Sequence, residues 1–239
     1  MSKAIQHKIR SFVMRAGKLT PGQTRAIEEL LPQFKLDETK AFDVHSVFGN
    51  NNPIYLDIGF GNGESLIHIA RMHPEINFIG MEVHSPGVGH LLLNMEKYEL
   101  KNIRIYQFDG VEVLNNCFDE SSIDAMHIYF PDPWHKKRHN KRRLIQNPFV
   151  QTIIPKLKQG SRIHIATDWQ EYAIHIQEVF AQFPEFENVE KNNNFTKRPD
   201  WRPITKFERR GINLGHDSYD LIYHLNKKEL CTSSAKGEK

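Results

Sequence analysis

Five acidic residues stand where five predicted strands end. They are Asp57, Glu82, Asp109, Asp132 and Asp168. In a doubly wound sheet the carboxyl ends of the parallel strands meet at one crevice. Because ionised carboxylates accept hydrogen bonds from hydroxyl, amino and cationic groups, we expect these five side chains to form a binding site for a polar ligand.

A glycine-rich turn follows the first of these strands. Asp57 ends the apolar run, and Gly59, Gly61 and Gly63 come at alternate positions. The dinucleotide fingerprint G-x-G-x-x-G/A needs its third small residue one position later, where this chain has Glu64. A carboxylate there would repel a pyrophosphate. The spacing therefore favours a ligand without phosphate and with a cationic, amino-acid-like end, and S-adenosylmethionine is such a ligand.

The positions of three carboxylates indicate separate roles. Glu82 follows the second strand, where an acidic side chain accepts both ribose hydroxyls in nucleotide-binding folds. Asp109 lies next along the sheet and is placed to accept the adenine amino group. Asp57 lies beside the glycine turn, where the cationic methionine end of the cofactor is expected.

Asp132 stands in the segment Phe130-Pro131-Asp132-Pro133-Trp134, and residues 136–143 hold six Lys or Arg. Prolines on both sides of Asp132 restrict the backbone. Lys and Arg bind phosphates, and a rigid carboxylate beside them is suited to contact a base. This pairing predicts a nucleic-acid substrate.

Strands and helices alternate from residue 54 onward, which favours a parallel α/β sheet with helices on both faces. With S-adenosylmethionine as the expected ligand, we expect the Rossmann-like sheet typical of class I methyltransferases, with a late antiparallel strand at 219–225 that pairs near 187–191. The predicted parallel strands are 54–58, 77–83, 103–108, 123–130 and 162–167. The predicted helices are 23–34, 65–71, 86–98, 111–116, 147–157 and 169–183.

The chain divides into three parts. Residues 1–20 are predicted to form a flexible basic arm, residues 21–230 the methyltransferase domain, and residues 231–239 a polar tail. Thr20 and Pro21 are typical of a helix start, as N-cap and first helical residue.

Composition excludes several classes of protein. Net charge is +3, with 39% hydrophobic and 26% charged residues, as in soluble globular proteins. No apolar run reaches the ~18 residues of a membrane span, and the basic N-terminus lacks the apolar region of a secretion signal. The two cysteines and 13 histidines form no metal-ligand spacing. We therefore expect a cytoplasmic protein with no membrane association and no metal.

The chain resembles the bacterial tRNA (guanine-N7)-methyltransferase family, in its single-chain form. The resemblance covers residues 15–225. It rests on Gly17-Lys18-Leu19-Thr20 with Gln23, the glycine turn from Asp57 to Gly63, residues 80–89, residues 131–139, Thr167-Asp168 and residues 205–211. Where the family often has Glu, this chain has Asp57.

The resemblance implies methyl transfer from S-adenosylmethionine to N7 of a guanine at position 46 in the variable loop of tRNA, with no obligate protein partner. Asp132 would be catalytic. The implied cofactor-binding residues are Asp57, Gly59, Gly61, Gly63, Glu82, Asp109 and Asp132. The implied substrate-binding residues are Lys136, Asp168, Thr205, Lys206, Phe207 and Glu208, and the implied RNA-binding residues are Arg138, His139, Asn140, Lys141, Arg142 and Arg143.

Two alternatives remain at this point. An exocyclic amino-methyltransferase places Asn or Asp before two prolines, whereas here one proline follows Asp132 and Trp134 comes next. The second alternative is a non-catalytic RNA-binding protein on the same fold. The five strand-end carboxylates argue against it, because without a cofactor they would repel the phosphates of the RNA. A titration with cofactor separates the second alternative from an enzyme.

Overall fold

In the described residues of this computed structural model (11–12, 17–190, 192 and 194–226), seven strands form one sheet in the order β3-β2-β1-β4-β5-β7-β6. The strands are β1 (Ile54–Ile58), β2 (Asn77–Met81), β3 (Ile103–Tyr106), β4 (Ile123–Tyr129), β5 (Leu157–Thr167), β6 (Phe186–Asn188) and β7 (Tyr219–Leu225). The first five are parallel. β7 lies antiparallel between β5 and β6, which confirms the predicted late strand and its partner.

The helices flank the sheet, and most of them bury apolar residues against it; α3 and α9 have no buried apolar residue. They are α1 (Pro21–Glu29), α2 (Leu31–Phe34), α3 (Val44–Phe48), α4 (Glu64–Met72), α5 (Ser85–Lys97), α6 (Gly110–Cys117), α7 (Asn147–Ile153), α8 (Gln170–Phe180) and α9 (Lys206–Asn213). Buried residues of α1, α4 and α5 form one core cluster with strand residues. Buried residues of α6, α7 and α8 form a second cluster with the other face of the sheet.

The start of α1 agrees with the sequence. Thr20 caps the helix in a reciprocal capping box with Gln23, and Pro21 is its first residue. The predicted single helix over 23–34 is wrong in one respect, because it divides at Leu30 and α2 begins before Pro32. Proline lacks the N–H that an uninterrupted helix requires.

Three short helices were not predicted from the sequence. α3 begins after Asp43, whose side chain accepts from the Ser46 N–H, and Lys137–Arg142 forms a 3-10 helix. α9 lies in residues for which the sequence suggested no element. Segments this short have too few turns for an apolar period to be visible.

The strand order reverses between β1 and β4. Ligands of doubly wound sheets bind at such a switch point, outside the carboxyl ends of the strands. The two loops that leave this point are the glycine turn after β1 and residues 130–134 after β4.

The predicted N-terminal arm and C-terminal tail stay predictions. Of the N-terminal arm, residues 1–10 and 13–16 lie outside the described residues, as do residues 231–239 of the tail. Across the part of the chain that is described, no helix has the length and apolarity needed to cross a bilayer.

Candidate active site

The turn after β1 is built by glycines in the left-handed region. Gly59, Gly61 and Gly63 have φ of 72°, 59° and 78°, which residues with a Cβ adopt only at a cost. A Cβ on Gly63 would also lie 2.6 Å from Leu91 Cδ1 of α5. The third glycine therefore allows α4 and α5 to pack closely, which explains its early position.

The carboxylate of Glu82 organises the backbone around this turn. Its Oε2 accepts from the Gly61 N–H at 2.9 Å, and its Oε1 accepts from the N–H groups of Val83 (2.7 Å) and His84 (2.9 Å). Each carboxylate oxygen has two lone pairs. Oε1 therefore has both lone pairs in use, while Oε2 keeps one for a ligand hydroxyl as it holds the turn.

Gly87 of α5 approaches the same turn so closely that a side chain would collide with it. A Cβ there would lie 2.1 Å from the Gly61 carbonyl oxygen. We expect Gly87→Ala to lower stability by about 1–3 kcal/mol and to weaken cofactor binding, because the rigid turn must move. Thermal melting and calorimetric titration with S-adenosylmethionine measure the two effects.

Gly22→Ala is the matched control for that variant. Gly22 also lies in a helix, but the nearest atom to a built Cβ is 3.8 Å away. It should leave both measurements unchanged or raise the melting temperature, since Ala favours helix. Equal effects of the two substitutions would contradict the proposed collision.

Three of the predicted carboxylates line one cavity, here named the acidic cavity, of about 260 Å³. Glu82, Asp109 and Asp132 border it from the ends of three strands. Asp109 also caps α6, because its Oδ1 accepts from the Val111 N–H at 3.0 Å. The structure thus brings together the side chains that were assigned to ribose, adenine and the reacting centre.

A second cavity, here named the inner cavity, has a volume of about 280 Å³. Asp57, Tyr129, Thr205 and Phe207 are among its lining residues. Both cavities are lined by Gly59, Gly61 and Phe130. They are therefore adjacent, and an elongated ligand can extend from one into the other across the glycine turn.

Asp57 is buried at 2% exposure in the floor of the inner cavity. Within the described residues its Oδ2 has no hydrogen-bond partner. Burial, together with the nearby charge of Glu82, raises the pKa of Asp57 to about 7. A buried carboxylate without a partner is costly, so this position is prepared for a cationic group.

The Asp132 segment is rigid and strained. Phe130 and Trp134 both lie in the left-handed region, with φ of 53° and 49°, and such backbone conformations concentrate at functional sites. The Pro133 carbonyl accepts from Arg143 Nε at 2.9 Å. Asp132 is exposed at the mouth of the acidic cavity.

The basic run divides into exposed and buried members. Lys136, Arg138 and Lys141 are exposed, and His139, Asn140 and Arg142 are half-buried. The guanidinium of Arg142 stacks over the Trp134 ring at 3.9 Å. The first five residues of the predicted RNA-binding group thus lie on the 3-10 helix beside Asp132.

Arg143 differs from these neighbours. Its side chain is 2% exposed and bonds to Pro133 and, through Nη2, to Glu171 Oε1 at 3.0 Å. Arg143 therefore supports the Asp132 segment through the Pro133 carbonyl. Its guanidinium does not face solvent, where a phosphate of the RNA would lie.

Residues 205–208 form the start of α9. Thr205 caps the helix by accepting from the Glu208 N–H at 3.1 Å, and the Lys206 N–H donates to Glu64 Oε2 at 2.6 Å. The ring of Phe207 is 56% exposed and contacts Phe130 at a centroid distance of 5.4 Å. The start of α9 therefore lies against Phe130 and against the first residue of α4, next to the glycine turn.

Glu208 points away from this surface. It is 3% exposed, and both carboxylate oxygens accept from Arg202, at 2.7 and 2.8 Å. Asp168 is also separate from the inner cavity. It lines a third cavity with Trp169, His216 and Tyr219, near the other end of α9.

The residues present fit a cofactor of the expected kind. Gly59 and Gly61 leave open space, since a Cβ on either would meet no atom within 4 Å. The unpartnered Asp57 oxygen suits an ammonium group, and Glu82 Oε2 has a lone pair left for a hydroxyl. The observed donor and acceptor set therefore agrees with S-adenosylmethionine.

Several residues of the site were not found by sequence reasoning. Ser11 and Phe12 line the acidic cavity, and the Ser11 carbonyl accepts from Trp134 Nε1 at 3.0 Å. The one feature of the sequence that could have indicated this contact is Phe12, an aromatic residue in an otherwise basic segment. Arg202 and Tyr129 carried no local signal, because their partners are distant in sequence.

Comparison with known proteins gives a family model and close relatives. A model described as putative methyltransferase matches residues 51–221. The tRNA (guanine-N(7)-)-methyltransferase of Pseudoalteromonas translucida (strain TAC 125) is 48% identical over 220 residues, 92% of this chain and 91% of that protein. The protein of the same name from Cupriavidus pinatubonensis is 50% identical over 218 residues, 90% of this chain and 85% of that protein.

Among solved structures, the 16S rRNA methyltransferase KamB has a TM-score of 0.53 at 12% identity. The match covers 89% of this chain and 96% of that one. At this identity the likeness supports the fold alone, which agrees with the predicted class.

Proposed function

The chain belongs to the tRNA (guanine-N(7)-)-methyltransferase family, and from that premise we propose how its residues carry out the reaction. It is an enzyme that transfers a methyl group from S-adenosylmethionine to N7 of guanine in tRNA. One observation carries the assignment of residues: two adjacent cavities at the switch point gather four strand-end carboxylates beside an exposed basic helix.

The cofactor is held by the two cavities together. Glu82 accepts from the ribose through Oε2, Asp109 accepts from the adenine amino group, and Asp57 binds the ammonium of the methionine end. Gly59, Gly61 and Gly63 let the backbone approach, and Asp132 closes the acidic cavity. The bound cofactor supplies an electrophilic methyl group on a sulfonium.

Guanine N7 has an in-plane lone pair and no proton at neutral pH, so its methylation requires no general base. The protein must instead align N7 with the methyl group, which contributes up to roughly 7–11 kcal/mol in favourable cases. It must also stabilise the positive charge that develops on the ring. Asp132 is placed for both tasks at the cavity mouth.

The guanosine is bound by residues around Asp132. Asp168 accepts from the Watson–Crick edge, Lys136 contacts the nucleotide, and Thr205, Lys206 and Phe207 border it from α9. Asp168 and Glu208 are the two carboxylates of the implied substrate-binding set that could accept from this edge, and Asp168 is favoured. Glu208 already accepts two bonds from Arg202, so its part is indirect.

The exposed basic helix binds the tRNA backbone through Arg138, His139, Asn140, Lys141 and Arg142. We expect Arg138→Gln and Lys141→Gln each to weaken tRNA binding and to reduce the slope of log K against log salt by about 1. Filter binding at several salt concentrations measures this. Lys40→Gln and Lys101→Gln, which change cations far from the site, are the controls and should leave the slope unchanged.

The function is tested by methyl transfer to tRNA transcribed in vitro, followed by nucleoside analysis. We expect 7-methylguanosine, and its loss when the variable-loop guanine at position 46 is replaced by adenine. Label on an exocyclic amine would instead support the alternative enzyme. Binding of tRNA and cofactor without transfer would support a non-catalytic protein.

We also propose that the enzyme works in the cytoplasm, where its substrate is found, and without a partner chain. Size-exclusion chromatography of the purified chain, with activity measured across the peak, checks the second point.

A further inference from the structure

A buried ion cluster lies beneath α9 and has no part in the reaction as described so far. At its centre is Arg202, which is 0% exposed. Its Nη1 and Nη2 donate to the two oxygens of Glu208, while Nε and Nη2 donate to the two oxygens of Asp220, at 2.7 and 2.8 Å. One arginine thus forms two forked pairs, one with α9 and one with β7.

The cluster extends to the wall of the inner cavity. His164 Nε2 lies 2.7 Å from Asp220 Oδ1, and His164 Nδ1 lies 2.9 Å from the Tyr129 hydroxyl. Burial lowers the pKa of His164, so a neutral ring that donates to Asp220 and accepts from Tyr129 satisfies both contacts. Tyr129 lines the inner cavity with Asp57.

Arg202 remains charged in this position. Burial by itself would lower its pKa, but the bonds from Glu208 and Asp220 raise it above the ordinary value. The guanidinium also lies 5.5 Å from the Phe130 ring and 5.8 Å from the Tyr129 ring. It is therefore packed directly under the strand end that leads to Asp132.

The same cluster fixes the first turn of α9. Glu208 is in that turn, its N–H is capped by Thr205, and Ser218 donates to its Oε1 at 2.9 Å. Glu64, the first residue of α4 after the glycine turn, accepts from the Lys206 N–H. The start of α9 is thus held by Arg202 through Glu208 and by Glu64 through Lys206, and Phe207 contacts Phe130.

Stability alone is a weak reason for such a cluster, since well-packed apolar residues often replace buried ion pairs without loss. A planar guanidinium that bonds two carboxylates with forked geometry does define orientation. We propose that Arg202 is a positioning residue for methyl transfer, which acts through Glu208 to hold Thr205 and Phe207 against the strand end that carries Asp132. This inference rests on the proposed function of that site.

The test compares Arg202→Lys, which keeps the charge but loses the fork, with Arg202→Gln, which loses both. We expect kcat to fall about 10-fold for the first and about 100-fold for the second, because small misplacements of positioning groups have effects of this size. The dissociation constant for S-adenosylmethionine should not change. Amide hydrogen exchange should accelerate in residues 206–213 and not in the parallel strands.

Arg104→Lys is the matched control. Arg104 is a partly buried arginine of β3 that donates to the carbonyls of Lys101, Ile103 and Val47, and it lies at the opposite end of the strands. The control should keep kcat unchanged, and wild-type activity in the same assay separates failure of the inference from failure of the proposed function.

Three results would overturn the proposal. The first is an unchanged kcat in both Arg202→Lys and Arg202→Gln. The second is an increase in KM for tRNA with no change in kcat. The third is a loss of activity that matches the loss of folded protein, with amide hydrogen exchange accelerated throughout the sheet. If Arg202→Gln does not fold, Arg202→Lys still decides between these outcomes.

Discussion

Replacing Asp132 with Asn should lower kcat for methyl transfer by about 10²- to 10³-fold, as for other groups that stabilise developing charge. The substitution keeps the shape of the side chain, and the two flanking prolines keep the strained backbone in place. It removes the negative charge that faces the guanine ring as the ring becomes cationic. Single-turnover kinetics with saturating cofactor measures this step directly.

Cofactor binding should survive the same substitution, since Glu82, Asp109 and Asp57 are unchanged. Asp119→Asn is the matched control: it is an exposed Asp before the start of β4, at the other end of the sheet. It should retain full activity. Near-normal turnover of Asp132→Asn would show that the charge of Asp132 is not central, and that the segment contributes by position alone.

The second large effect concerns pH and Asp57. The pKa of this carboxyl is raised from 3.8 to about 7 by burial and by the charge of Glu82. A cofactor ammonium beside Asp57 favours its ionised form, so binding must release a proton below that pKa. We expect affinity for S-adenosylmethionine to rise about tenfold per pH unit from pH 5 to pH 7 and to level off above it.

The same shift determines how the stability of the free protein depends on pH. A raised carboxyl pKa means that the folded state binds the proton more tightly than the unfolded state. The stability that Asp57 contributes is therefore full below pH 3.8 and is lost as pH rises to about 7, by up to about 4 kcal/mol. Urea denaturation of the wild type and of Asp57→Asn at several pH values isolates this contribution.

Asp57→Asn should remove both dependences, because its side chain does not titrate. The free energy of unfolding of the variant minus that of the wild type should be more positive at pH 8 than at pH 5. Calorimetry in buffers of different ionisation enthalpy should detect proton release in wild type and none in the variant. Equal proton release by the two proteins would assign the linkage to another group.

The strand-end carboxylates could be placed from sequence because topology alone gathers them. Once 54–58, 77–83 and 103–108 are parallel neighbours, Asp57, Glu82 and Asp109 must meet at one edge. This inference requires the order of the elements and tolerates errors in their ends. β2 and β3 both end two residues earlier than predicted, yet the crevice forms as expected.

Residues that depend on side-chain direction could not be placed in this way. Arg143 is the last member of the basic run 136–143, and only the turn of the 3-10 helix directs it inward to Pro133 and Glu171. Glu208 is chemically suited to bind guanine, but Arg202, six residues earlier, occupies it. Neither fact follows from a local pattern, because each depends on the direction in which the folded loop points a side chain.

The position of β7 has a consequence for the order in which the enzyme is completed during synthesis. β7 is the last strand of the described chain, yet it lies inside the sheet between β5 and β6. Within that sheet β6 gains a neighbour only when residues 219–225 have emerged from the ribosome. Before then the strands that carry Asp57, Glu82 and Asp109 are complete, while Arg202 has Glu208 as a partner and lacks Asp220. Translation thus supplies the strands of the cofactor carboxylates before the strand that completes the Arg202 cluster.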